Sequence, residues 1–512
     1  MQSVATVQAA AHWLRSRGIG SLCTDSRQLR AGDGLLAWPG AAHDARAHVQ
    51  RALALGAIAC LVEASGAEAF HFDDDRIACY RDLKRASGRV ADRYFDHPSH
   101  ALAVLAVTGT NGKTSTVWWL AQALSGLPGP TPWLCGMVGT LGTGFVPVDA
   151  ASASAARLSG TGLTTPDGVH LQAALRDMCT AGARACAIEA SSIGIVEQRL
   201  AGTRIHTAIF TNFTQDHLDY HGSMEAYWRA KESLFDWPDL HAAVVNTDDP
   251  AGARLARSLQ NRPLDLWTVS CTAAARLRAC DVEARAGGLR FVLQEAFERH
   301  RVTTSLIGHY NVSNLLGVVA AMRTVGIPLA DAAAACNRLT PVPGRLQSTM
   351  LRGKPLAVVD YAHTPDALQQ VLAALRPVAT RRGGQLWCVF GCGGDRDPLK
   401  RPLMGAAAAA ADHVVVTSDN PRSEDPLAII GQIIPGLKNH PQVTRQVDRA
   451  LAIGAALQQA APADVVLVAG KGHETTQEIA GMRHVFSDQD QVRRALARWS
   501  VSRRRTHKRG FT

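Results

Sequence analysis

The chain has no uninterrupted apolar run of about 18 residues, the length a membrane-spanning helix needs, so no membrane span is expected. Its first residues, MQSVATVQAAAHWLRSRG, do not pair a basic stretch with an apolar core. No secretory leader is read there, and the segment fits a short amphipathic helix. Aromatic residues are scarce at 5%, too few for the base-stacking grooves of a single-strand nucleic-acid binder. The cysteines number 11, an odd count, and none forms a C-x-x-C pair. Cys388 and Cys392 flank a strand end, but no second Cys or His pair lies near enough to complete a zinc site. Reduced thiols in a cytoplasmic protein are the simplest expectation. No repeat of solenoid period is present.

What remains is the composition of a soluble globular chain, 46% hydrophobic and 19% charged. Its 512 residues suggest about three domains. The net charge of +10 is partly concentrated in a basic tail, residues 501–512, which reads as a solvated terminus. The rest of the positive charge is diffuse and suits handling of anionic nucleotides.

Three blocks follow one another. Residues 1–100 hold short strand-like runs at 35–38 and 57–62 and a helix near 48–55, a small α/β unit. His97-Pro98-Ser99 marks a linker. Residues 101–340 open with the apolar strand 102–107, and further strands read at 185–188, 207–211 and 242–246. Strands alternating with helices predict a mostly parallel sheet covered on both faces. Within this block 148–162 is rich in Ala, Ser and Gly and reads as a flexible loop. Residues 341–500 begin at Pro341-Val342-Pro343-Gly344. Strands at 356–359, 386–390, 413–417 and 465–469 predict a second doubly wound α/β unit.

The strongest local signal is Thr108-Gly109-Thr110-Asn111-Gly112-Lys113-Thr114, between an apolar strand and the helix predicted over 115–124. In such a turn backbone N–H groups face phosphates, the lysine reaches the terminal phosphate oxygens, and the threonine hydroxyl binds Mg²⁺. A strict P-loop would have Gly where this chain has Val107. Glu189 ends the apolar strand 185–188, where ligands gather in such sheets, and is the expected metal partner. Asp216-His217 lies on the same edge. His217 reads equally as a neutral imidazole ligand or as a loop histidine.

These motifs also occur in a fixed order. The TGTNGKT turn, Glu189-Ala190-Ser191-Ser192, Asp216-His217-Leu218-Asp219-Tyr220-His221-Gly222, Tyr227-Trp228-Arg229-Ala230-Lys231 and Gly308-His309-Tyr310-Asn311-Val312-Ser313-Asn314 resemble the Mur ligase family. Pro343-Gly344-Arg345, Asp360-Tyr361-Ala362-His363-Thr364-Pro365 and Gly470-Lys471-Gly472-His473-Glu474 extend the resemblance, which runs from about Thr24 to Gln477. It implies an α/β protein of three domains: a small N-terminal UDP-binding domain, a central P-loop ATPase and a Rossmann-like C-terminal domain. It further implies that Gly109 to Ser115 bind ATP, with Asn311 and Asn314 near the adenine. Arg345 and Asp360 would close on the nucleotide. Thr114, Glu189, His217 and Lys231 would serve two Mg²⁺ ions. Alone, Lys231 reads as a mid-helix surface lysine. The family resemblance makes it a lysine carboxylated by CO₂, which requires a neutral amine and therefore partial burial.

Further residues resemble the diamino-acid-adding subgroup. Thr24, Ser26, Thr164, Thr165, Ser191, Glu197 and Arg199 would contact the nucleotide-sugar dipeptide UDP-MurNAc-L-Ala-D-Glu. Asp419-Asn420-Pro421-Arg422, with Arg396, Gly470 and Glu474, would hold meso-diaminopimelate. A guanidinium suits the distal carboxylate that lysine lacks. Ala45, Ile193 and Glu197 depart from common residues of the family. The implied activity is ATP-dependent amide-bond formation by a cytoplasmic monomer with no nucleic-acid partner. A lysine-adding ligase, a folylpolyglutamate synthetase, a catalytically dead binding relative and a P-loop nucleic-acid motor are the alternatives. Arg422 argues against the first, and the N-terminal block against the second. The intact Lys113, Glu189, His217 and Lys231 argue against the third.

Overall fold

A computed structural model describes residues 2–40, 43–129, 133–148, 157–285 and 288–499. The basic tail and most of the Ala/Ser/Gly-rich segment lie outside the described residues.

The N-terminal block is a five-stranded parallel sheet in the order Gln2–Ser3, Ile77–Tyr80, Ala59–Glu63, Gly34–Ala37, Leu22–Cys23. The helix Val7–Ser16 starts where the Thr6 hydroxyl accepts from Ala9 N–H, and it buries Ala10, Ala11, Trp13 and Leu14. The helix Leu83–Tyr94 lies on the helix Gly168–Thr180 of the next block. Their backbones meet at glycine: a Cβ on Gly168 would stand 2.6 Å from Gly88 Cα. His97-Pro98-Ser99 is therefore no free linker. Pro98 and Ser99 are buried, and the Ser99 hydroxyl accepts from Arg204 N–H at 2.9 Å.

The central block is an eleven-stranded sheet. Ala103–Thr108 runs parallel between Ala185–Glu189 and Thr207–Phe210, so the phosphate-turn strand sits at its centre. Cys135–Gly139 follows on one side, and Ala242–Asn246 and Asp265–Ser270 on the other, all parallel. Antiparallel strands finish both edges. One of them, Arg157–Ser159, falls inside the segment expected to be loop and pairs with Gly142–Phe145. Pairing to an existing edge supplies the backbone hydrogen bonds that composition did not reveal. The helix Lys113–Ser125 begins two residues before the expected start, at the lysine itself, and is buried nearly all round. It packs beside Tyr310–Thr324, equally apolar. Helices without a polar face form only inside a core. Each large side chain here, such as Leu120 or Leu316, contributes about 1.5–3 kcal/mol by burial.

The C-terminal sheet has six strands in the order Gln347–Thr349, Leu356–Asp360, Val465–Ala469, Leu386–Phe390, His413–Val416, Val443–Arg445. All neighbours run parallel except the first pair. The strands Leu356–Asp360 and Leu386–Phe390 are consecutive in sequence yet flank Val465–Ala469. Their carboxyl ends therefore open a crevice of the kind that binds ligands in doubly wound sheets. No helix among the described residues is long and apolar enough to cross a membrane.

Candidate active site

The carboxyl edges of the central and C-terminal sheets face one cavity of about 880 Å³. Its floor is the turn 109–115. Gly109 has φ 146°, and a Cβ there would stand 1.9 Å from Thr211 Oγ1, so this position admits only glycine. The neighbouring strand end braces the turn. Thr110 N–H donates to Asn212 O at 2.8 Å, Asn111 N–H to Asn212 Oδ1 at 2.9 Å, and the Thr211 hydroxyl to Asn111 O at 2.7 Å. Thr211 and Asn212 were not singled out from sequence. Their signal was position, directly after a strand on the edge that carries the turn.

Lys113 folds over its own turn, donating to Gly109 O at 2.9 Å and Thr110 O at 2.8 Å. Burial pushes its ammonium pKa down, against the pull of Glu189 and Asp216. The Thr114 hydroxyl donates to Glu189 Oε2 at 3.0 Å, and Thr140 N–H to Glu189 Oε1 at 2.8 Å. Burial raises the Glu189 carboxyl, and Lys113 opposes that rise. Ser115 is buried on the same wall. Asn314 Oδ1 lies where a Cβ on Gly112 would be, at 2.5 Å, and its amide donates to Asn311 Oδ1 at 3.1 Å. These two asparagines thus stand against the turn at the start of the helix Tyr310–Thr324.

Lys231 is not a surface lysine. It is 1% exposed, donates to Gly109 O at 2.8 Å and lies 4.3 Å from the Tyr227 ring centroid. Burial, reinforced by Lys113, pushes its amine pKa far below the usual lysine range. His217 adopts a left-handed backbone (φ 53°), with Nε2 3.4 Å from Asp216 Oδ2. Burial lowers its pKa to about 4, so the imidazole is neutral near pH 7. Burial disfavours ionised Asp216, but His363, His217 and Lys400 hold it well below the usual carboxylate range.

The C-terminal block closes the cavity from above. Arg345 Nη2 donates to the Thr114 hydroxyl at 3.1 Å, and its guanidinium stacks 4.3 Å over Tyr361. Asp360 accepts from Leu346 N–H and Ala362 N–H, each at 2.7 Å, so it anchors the segment that presents Arg345. The Asn420 amide donates to Glu474 Oε2 at 2.9 Å, and buried Lys471 donates to Asn420 Oδ1 and Glu474 Oε2. Gly470 has φ 117° and its Cβ would stand 2.4 Å from Asp419 Oδ2, which brings the two loops into contact. Pro421 leads into Arg422, which turns left-handed (φ 52°) and donates to Gly394 O at 2.6 Å. Its backbone bonds to Glu478 and Ala480, so it starts no helix. Arg396 is half-exposed on the rim, 3.9 Å from Asp219.

At the third side Thr164, Ser191 and Arg199 line the cavity. Arg199 Nη1 donates to Thr165 O at 3.0 Å, and the Thr165 hydroxyl to Glu189 O at 2.7 Å. Thr24, Ser26 and Glu197 stand outside this lining. Thr24 donates to Asp167 at 3.2 Å, whereas Glu197 pairs with Lys84 and accepts from the Tyr220 hydroxyl at 2.7 Å.

The donor set suits a hard cation. Among the described residues no group of three or more His, Cys, Asp or Glu could hold a metal unaided. A threonine hydroxyl beside one carboxylate fits Mg²⁺, which is bound through one or two carboxylates plus substrate phosphates.

Comparison with known proteins agrees with this geometry. The Mur ligase middle domain family matches residues 107–322, and the Mur ligase glutamate ligase domain family matches 344–472. The chain is 57% identical over 502 residues to the UDP-N-acetylmuramoyl-L-alanyl-D-glutamate--2,6-diaminopimelate ligase of Acidovorax sp. (strain JS42), covering 97% of this chain and 98% of that one. This chain belongs to the Mur ligase family. The ligase of the same name from Janthinobacterium sp. (strain Marseille) is 47% identical over 93% of this Mur ligase and 94% of its own length. A solved structure of a UDP-N-acetylmuramoyl-L-alanyl-D-glutamate--2,6-diaminopimelate ligase superposes with a TM-score of 0.61 at 36% identity, over 94% and 95% of the two chains. The fold is also that of MurF ligase from Thermotoga maritima in complex with ADP, with a TM-score of 0.67 at 17% identity over 94% and 97%.

Proposed function

We propose that this Mur ligase joins meso-diaminopimelate to UDP-MurNAc-L-Ala-D-Glu at the expense of ATP, as a monomer in the cytoplasm. One observation carries this reading. Lys113, Thr114 and Glu189 floor the same cavity whose rim bears Arg396, Arg422 and Glu474.

The D-Glu γ-carboxylate attacks the γ-phosphorus of ATP, and the resulting acyl phosphate is attacked by the diaminopimelate amine, releasing phosphate. The first step brings a carboxylate to a polyphosphate. Lys113 and the N-terminus of the helix Lys113–Ser125 offset that repulsion. Thr114, Glu189, His217 and a carboxylated Lys231 would hold Mg²⁺, which when bound neutralises phosphate charge. Lys231 suits that modification. Burial favours the neutral amine that adds to CO₂, and the carbamate would place a carboxylate at the phosphate turn, where the amine donates to Gly109 O. Asn311 and Asn314 take the adenine side, and Arg345, presented by Asp360, reaches the phosphates. Thr164, Thr165, Ser191 and Arg199 take the sugar-peptide. Thr24, Ser26 and Glu197 belong to the outer, uridine-bearing stretch of the same substrate. Arg422 and Arg396 bind the distal carboxylate of diaminopimelate, and Glu474, held by Asn420 and Lys471, binds its ammonium. Asp419 and Gly470 set the spacing of those two loops.

The test is phosphate release from ATP with UDP-MurNAc-L-Ala-D-Glu and either meso-diaminopimelate or L-lysine, with the product mass confirmed. Turnover with diaminopimelate alone supports the assignment. Turnover with lysine keeps the ligase and rejects the role of Arg422, and silence with both rejects the muropeptide substrate.

A further inference from the structure

The cavity wall holds a buried cation that the chemistry above leaves unused. Lys400 opens the helix Lys400–Ala408 of the C-terminal block, is 7% exposed and lines the cavity. Among the described residues its Nζ has one charged neighbour, Asp216 Oδ1 at 3.8 Å, across the cleft on the central block. An ammonium carries three donors, and one ion contact of that length does not replace its lost hydration. Asp216 is already served from other sides. His217 N–H donates to Oδ1 at 3.0 Å, and the rings of His217 and His363 stand 3.4 and 3.8 Å from Oδ2. The lysine therefore has more donor capacity than the protein uses, at a wall that faces ligand space.

Its position selects the ligand. The Thr110 hydroxyl of the phosphate turn donates to Thr214 O at 3.0 Å, two residues before Asp216, so this corner is the phosphate end of the cavity. Lys113 approaches from the turn beneath, and Lys400 from the opposing domain. A tetrahedral anion between them, rich in terminal oxygens, would satisfy both.

We propose that Lys400 is a further catalytic residue, donating to a non-bridging oxygen of the phosphoryl group during its transfer and holding the acyl phosphate until the amine attacks. This deepens the ligase reading and rests on it. As the carboxylate oxygen bonds to the γ-phosphorus, the bond from that phosphorus to the bridging oxygen breaks and ADP leaves with the electron pair. As the amine nitrogen bonds to the acyl carbon, the carbon–oxygen bond to phosphate breaks, and the extra nitrogen proton leaves with the phosphate. Lys400 exchanges no proton in either step. Because it comes from the C-terminal block, transferring-group charge is fully compensated only when that block is seated. Phosphoryl transfer is thereby tied to a closed, water-excluding site.

The test compares Lys400→Met and Lys400→Arg with the unmodified chain. The measurements are kcat, the KM of each substrate, affinity for a fluorescent ADP, and capture of the acyl phosphate by hydroxylamine. Lys400→Met is expected to lower kcat about 10²-fold, with hydroxamate formation falling in step. Its KM values and ADP affinity stay within about threefold, because the interaction strengthens in the transition state. Lys400→Arg recovers about tenfold of the loss, since a guanidinium keeps the charge with altered geometry. A well-folded Lys400→Met with full kcat overturns the proposal. So does loss of ADP binding in both variants together with a lowered thermal midpoint, measured alongside, which would make Lys400 only a structural partner of Asp216. Inactivity of the unmodified chain would instead sink the ligase reading itself.

Discussion

The phosphate end and the amino-acid end of the cavity are both rich in charge, but they hold it differently. At the phosphate end Lys231 is buried and Lys113 half-buried against backbone carbonyls of one short turn, and Glu189 is gripped by two neighbouring threonines. At the amino-acid end Arg396 and Arg422 reach out from loops. The rigidity there lies behind the ligand groups. Arg449 and Asp488, both fully buried, form a two-bond ion pair at 2.7 Å. The same guanidinium donates to Ala469 O and Ser418 O, the residues just before Gly470 and Asp419. One end thus builds its reactive groups into the core, as chemistry shared by all substrates requires. The other hangs them on braced loops, where a substitution is expected to leave the core undisturbed.

The comparison breaks most sharply at Lys231. Lys231→Met is expected to lower kcat by about 10³-fold through loss of transition-state charge stabilisation. The loss should coincide with disappearance of a carbamate signal in protein labelled with ¹³C-bicarbonate. Next is the brace at the other end. Arg449→Met strands the Asp488 carboxylate in the core and should cost about 3–5 kcal/mol in urea unfolding. Arg422→Leu should raise the KM for diaminopimelate about 30–100-fold, as expected for about 2–3 kcal/mol of lost charge-assisted bonding, with kcat little changed. If kcat falls instead, the amino-acid end is no mere specificity element.

A pH experiment probes both ends together. Burial holds His217 and His473 at about 4, below the 6.5 of a free imidazole. Between those values the unfolded chain takes up protons that the folded chain refuses. Stability of the ligand-free chain should therefore fall as pH drops from 6.5 towards 4, and these two groups should add no slope above that window. Replacing both with Gln should flatten the slope, measured by thermal midpoints across the range. The smallest effect belongs to the seam outside both ends. Lys84→Met removes a half-exposed partner of Glu197 and should cost no more than about 1 kcal/mol, with a modest change in acceptor KM.

Much of this was legible from residue order. The eight strands expected in the two larger sheets lie within a residue or two of their positions, because apolar runs bounded by turn residues have few other uses, whereas the parallel strands Cys135–Gly139, Asp265–Ser270 and Val443–Arg445 were not expected. The phosphate turn was legible for the same reason, since its chemistry is local. The edge strand Arg157–Ser159 was not, because its pairing partner rather than its own composition makes it a strand. Nor were Thr211, Asn212 and Lys400, whose roles depend on what faces them across a sheet edge or a domain cleft.

The sequence by itself determined the α/β layering, the phosphate turn and the motif order that marks a Mur ligase, because each depends on spacing along the chain. Only the tertiary structure decided that Lys231 is buried rather than exposed, that Arg422 turns back onto Gly394, and that Lys400 crosses to Asp216. Those facts depend on desolvation and on contacts between segments more than a hundred residues apart in several cases, which no local pattern encodes.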